Sequence, residues 1–141
     1  MTSLMTSIPS LIVLIAGLSC GGAWAKDRDE RLTLSDRTTS AKGQLKGRDG
    51  VRYSFEAKPG QRLVVRLTTT NPSAYINVSK EGGTEALCQG SLTENVCTVE
   101  AAEATAYVVD VYLMRNAARR GESARYTLSI EPTAVHTEKS G

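Results

Sequence analysis

Histidine is nearly absent from this chain: His136 is the only one. Cysteine is scarce too, at Cys20, Cys88 and Cys97, with no C-x-x-C pair. A structural zinc site draws its ligands from clustered Cys and His, so no such site is expected. A Ser-His-Asp triad would have to take its histidine from the end of the chain, and no nucleophile elbow precedes it. The reading is therefore of a protein that is not an enzyme and has no metal and no cofactor. Aromatics are few: Trp24, one Phe and five Tyr. Sugar-binding modules generally use aromatic platforms, so this composition weakens that class. Lys and Arg number 17 against 15 Asp and Glu, a formal charge of +2. That is a weak field for nucleic acid. Beyond residue 25 no sustained helical periodicity occurs.

The first 25 residues stand apart. Leu11, Ile12, Val13, Leu14 and Ile15 form an apolar run, and no charge occurs before Lys26. The run is short for a transmembrane helix. It ends at Ala23-Trp24-Ala25, the A-x-A pattern of a signal-peptidase site, although the basic start of a typical signal peptide is missing. Residues 1–25 read as a cleavable signal peptide that directs export to the periplasm, with no membrane anchor afterwards. Cys20 has Gly17 three positions before it, a poor lipoprotein site. It is expected to leave with the signal. Cys88 and Cys97 then form an even pair in an exported domain, which reads as a disulfide.

Residues 26–41 are charged and rich in Thr and Ser, which suggests a flexible lead-in with a short strand near 31–34. Alternation then begins. Val51, Tyr53, Phe55 and Ala57 share one face of a strand; Leu63, Val65 and Leu67 share one face of the next. Pro59-Gly60 between them suits a type II turn, and the two strands are expected to form a hairpin. Shorter strands follow at 75–80, 85–89 and 96–100. A hairpin closing around GSLTEN would place Cys88 opposite Cys97. The longest strand, 106–114, is apolar on both faces, as a central strand is. Tyr126, Leu128 and Ile130 mark the last strand, and residues 132–141 read as a disordered tail. The fold class is all-β: an antiparallel β-sandwich or jelly roll of about eight strands, one domain spanning 42–131.

Between the last two strands lies MRNAARRGESARY, with Arg115, Arg119, Arg120 and Arg125. Asn116 suits a helix N-cap and Gly121 a C′ position, so one helical turn is expected between them. In that turn Arg115 and Arg119, at i and i+4, share a face. Such a loop either meets something acidic or is a solvated connector whose arginines pair with Glu122 and Asp110.

Several short motifs here resemble the periplasmic inhibitors of g-type lysozyme. They are Gly43-Leu45-Lys46-Gly47, Tyr53-Phe55, Lys58-Gly60-Gln61, Arg115-Asn116-Ala118-Arg119 and Tyr126. The likeness runs over about residues 42 to 131. The entry and turn motifs also occur in pre-peptidase C-terminal β-sandwiches; the Arg-Asn-Ala-Ala-Arg stretch is the more discriminating. The resemblance implies that Arg115, Asn116, Arg119 and Arg120 form the partner-binding loop and that the partner is a lysozyme, g-type first. Where the family tends to carry a tyrosine, this chain has Arg48-Asp49-Gly50. The alternative is a carbohydrate- or peptidoglycan-binding, or structural, envelope module. Exposure of Tyr112 beside the arginines would favour that alternative.

Overall fold

The structure is a computed structural model that describes residues 27–133. Nine strands build two facing sheets. The first sheet has the order β1 (Asp27–Arg31), β3 (Gly50–Ala57), β8 (Thr105–Leu113), β5 (Ala74–Lys80), β6 (Ala86–Gln89). The second has the order β2 (Thr39–Lys46), β9 (Ser123–Thr133), β4 (Arg62–Thr69), β7 (Val96–Glu100). All pairs are antiparallel except β1 with β3. The all-β sandwich expected from the sequence is what forms.

Period-two alternation puts one side of each strand between the sheets. Tyr53 and Phe55 from β3, Val109 and Val111 from β8 and Ile76 from β5 face Leu63 and Val65 from β4 and Leu128 and Ile130 from β9, all buried. Burying each such side chain contributes about 1.5–3 kcal/mol. β8 lies between β3 and β5, with Tyr107, Val109, Val111 and Leu113 facing the core and Val108 buried on the other face. In the core the Tyr53 and Tyr126 hydroxyls share a hydrogen bond of 2.7 Å across the sheets. Burial first, then that bond, raises the Tyr126 hydroxyl far above its ordinary value. Tyr126 occupies the space where Gly43 would carry a side chain; a Cβ there would fall on the phenol.

Three expectations are corrected. β3 and β4 form no hairpin, because they belong to different sheets. The turn itself exists: Gln61 N–H donates to the Lys58 carbonyl at 3.1 Å and Gly60 has φ +75°. A type II turn has the wrong twist for a tight hairpin, and here it carries the chain across the core. Strands β6 and β7 also lie in different sheets, so Cys88 and Cys97 are not hairpin partners. The disulfide forms all the same, at a Cα separation of 5.9 Å, and ties one sheet to the other. The lead-in is no loose segment either. It holds β1 and the start of β2, and Leu32 and Leu34 pack on the core. Residues 27–31 are almost wholly exposed on an edge, so they carry no alternation signal. At the other end β9 continues to Thr133, and residues 134–141, including His136, lie outside the described residues, as do residues 1–26, which include the expected signal peptide 1–25.

Candidate partner-binding surface

The arginine segment forms α2 (Arg115–Arg119), a single turn between β8 and β9. Its N-cap is Met114, in an extended conformation, and not Asn116. The helix starts two residues early because Ala118 N–H reaches the Met114 carbonyl at 2.9 Å. The C-terminal end is as expected. Gly121 takes φ +68°, Gly121 N–H donates to Ala118 O, and Glu122 N–H donates to Ala117 O. Those two bonds are a Schellman closure. Ala117 is buried and anchors the turn on the core.

Two loops brace α2. In the β2–β3 turn, Gly47 N–H donates to the Glu122 carbonyl at 2.8 Å. Between β4 and β5, Asn71 Nδ2 donates to Glu122 Oε1 and to the Ser123 carbonyl, each at 3.1 Å. Arg120 closes on the same carboxylate, Nε to Oε2 at 2.7 Å. The Asn71 bond first, then Arg120, holds the Glu122 carboxyl below its ordinary value. Arg120 is thus part of the support.

Arg115 and Arg119 differ from it. Both are exposed, and neither side chain makes a hydrogen bond or ion pair among the described residues. They line a cleft of about 560 Å³ with Arg48, Tyr112, Leu113 and Ala118. Asn116 is exposed and does not line that cleft, and Arg125 projects from β9 beside a separate hollow. Arg48 and Tyr112 join Arg115 and Arg119 in the cleft, and Tyr112 is half-buried beside the arginines, where the sequence made its exposure the mark of a carbohydrate-binding module. Arg48 arrives because its turn docks on α2; Tyr112 arrives because outward positions on β8 point beside it. Burial first raises the Tyr112 hydroxyl above the ordinary tyrosine value, so it stays a neutral donor at physiological pH.

A second cleft of about 440 Å³ adjoins the first and shares Arg48, Tyr112 and Leu113. Its far side is mixed in charge, with Asp27, Asp29, Arg52 and Asp110. Arg52 donates to Asp110 at 2.9 Å, and that bond is the main cause of its raised pKa. Asp110 is therefore taken by Arg52 and does not quench the α2 arginines. No group of three or more Cys, His, Asp or Glu suited to a metal occurs among the described residues. No helix among them is long and apolar enough to cross a membrane.

No protein-family model matches the chain, and no curated protein does. Solved structures do match. The Aeromonas hydrophila periplasmic inhibitor of g-type lysozyme superposes with a TM-score of 0.63 at 24% identity, over 76% of this chain and 99% of that one. The Salmonella Typhimurium inhibitor gives 0.56 at 19%, over 75% and 99%. A pre-peptidase C-terminal domain of Bacillus anthracis collagenase gives 0.60 at 19%, over 74% and 96%. The fold resemblance seen in the motifs is therefore real across the whole described domain: this chain has the β-sandwich shared by periplasmic g-type lysozyme inhibitors and pre-peptidase C-terminal domains.

Proposed function

We propose that this chain is an exported, non-catalytic inhibitor of a lysozyme, g-type first, that presents α2 to the active-site cleft of its target. The observation that carries the reading is the state of two side chains. Arg115 and Arg119 are exposed and without a side-chain partner among the described residues, on a turn anchored by buried Ala117 and closed by Arg120 on Glu122. Glycosidase clefts contain carboxylates for acid, base or nucleophilic work. A guanidinium bonded to such a carboxylate contributes about 1.5–3 kcal/mol net. It would also neutralise the acid and fill the substrate path. The fold neighbours named as lysozyme inhibitors support the same partner class. Export rests on the signal-like segment 1–25, and the Cys88–Cys97 disulfide suits an oxidising compartment.

The test is lysis of cell walls by g-type, c-type and i-type lysozymes, titrated with residues 26–141. One class is expected to be inhibited, and Arg115→Ala/Arg119→Ala is expected to weaken that inhibition by at least about 100-fold with an unchanged melting temperature. Full lysis in every case, by a folded protein, would reject the reading.

A further inference from the structure

We infer that the binding face continues from α2 onto the outer side of the five-stranded sheet, with Tyr112, backed by Tyr75, as its aromatic anchor and Arg48 as a third cation. The partner is a protein whose acidic cleft is edged by apolar surface. This inference rests on the inhibitor reading and names more of the same surface.

Aromatic side chains are few, so their placement is informative. Tyr53, Phe55, Tyr107 and Tyr126 are buried in the core. Tyr75 and Tyr112 are the two among the described residues that are not, and they stand together. They are register partners across β5 and β8, half-buried on the outward side, with ring centroids 6.5 Å apart. The Tyr112 hydroxyl donates to Asn77 Oδ1 at 3.4 Å. The ring is thus held from one side by Tyr75 and at its tip by Asn77, and little entropy is lost when a partner covers it.

A cross-strand aromatic pair stabilises a sheet wherever it occurs. That role does not require one member of the pair, Tyr112, to border a cleft in which guanidiniums without a side-chain partner gather. Tyr112 lines that cleft with Arg48, Arg115 and Arg119. Tyrosine and arginine at the centre of a rigid patch are the residues that dominate protein interfaces. Charge sets the orientation. The three arginines call for carboxylates, whereas Asp27 and Asp29 border the far side and Arg52 is closed on Asp110. An acidic partner is steered to the α2 end. Tyr112 beside the arginines is also the feature that a carbohydrate-binding module would show, so a glycan is the rival occupant that the test includes.

The experiment is an inhibition titration of Tyr112→Ala, Tyr112→Phe and Arg48→Ala at low and high salt, with a thermal melt of each. Tyr112→Ala is expected to weaken inhibition about 30-fold, equally at both salts, with Tyr112→Phe close to wild type. Arg48→Ala is expected to weaken it about tenfold at low salt and much less at high salt. If folded Tyr112→Ala inhibits like wild type while Arg115→Ala/Arg119→Ala does not, the extension is wrong and the α2 reading stands. If wild type inhibits no lysozyme, both fall. Cosedimentation with an insoluble acidic glycan, without lysozyme, is the control. Binding there that depends on Tyr112 would make the pair a sugar platform and overturn the protein anchor.

Discussion

Two short helices carry the chain from the five-stranded sheet to the four-stranded one, and they are fixed in opposite ways. α1 (Gly90–Thr93) joins β6 to β7, and α2 joins β8 to β9. At α1 the side chains do the fastening. Cys88 and Cys97 bond covalently, and buried Asn95 accepts from Ile76 N–H and donates to the Ala74 carbonyl. Glu94 and Asn95 both adopt positive φ to make the corner. At α2 the fastening is mostly backbone: the Schellman closure, the Gly47 bond and buried Ala117, with Glu122 as the single side-chain hub. A corner that closes through its backbone leaves its long side chains available. Arg115 and Arg119 are available in that sense; Cys88, Cys97 and Asn95 are not.

The comparison can be broken from either end. The largest effect on stability is expected from Cys88→Ala/Cys97→Ala, a loss of about 3 kcal/mol by the chain-entropy argument, read by denaturant unfolding. Below its melting temperature this variant should keep its inhibition, since the proposed binding corner is α2. Asn95→Ala comes next, at about 2 kcal/mol, because it strands two buried backbone groups of β5. Gly121→Ala is expected to cost about 1 kcal/mol, the penalty of a Cβ at φ +68°. Its inhibition should fall by more than its stability explains, since it moves the arginines. The smallest effect is electrostatic. Glu122 titrates below its ordinary value when folded, so its contribution is present above the unfolded carboxylate value of about 4 and is lost as pH falls through the lower folded one. Glu122→Gln should remove that acid dependence in the α2 amide signals read by NMR, and leave the Cys88–Cys97 corner unchanged.

The sandwich was legible because its inward strands alternate strongly: Val51 to Ala57, Leu63 to Leu67 and Tyr126 to Ile130 all face the core as read. β2 was not legible, because its inward positions are Thr39, Ala41 and Gly43 before Leu45, and the Tyr126 ring takes the place of a side chain at Gly43. Pairing was misread where sequence neighbours go to opposite sheets. Pro59-Gly60 fixes a turn but not which ladder each strand joins. Nothing local to Cys88 and Cys97 distinguishes a hairpin bridge from an inter-sheet one. At the candidate site, Arg115 and Arg119 could be read from one helical turn. Arg48 could not, since its place depends on Gly47 meeting Glu122 across a separation that no short pattern spans. Tyr112 could be read as lying beside the arginines on β8, but not its pairing with Tyr75, which needs the β5–β8 register.

The most direct measurement is hydrogen exchange of the folded chain, alone and saturated with g-type lysozyme. Protection is expected at residues 112–122 and at the turn 47–49, with residues 86–97 unchanged. Protection concentrated at 86–97, or none on any segment while lysis is inhibited, would contradict the assignment of binding to the α2 corner.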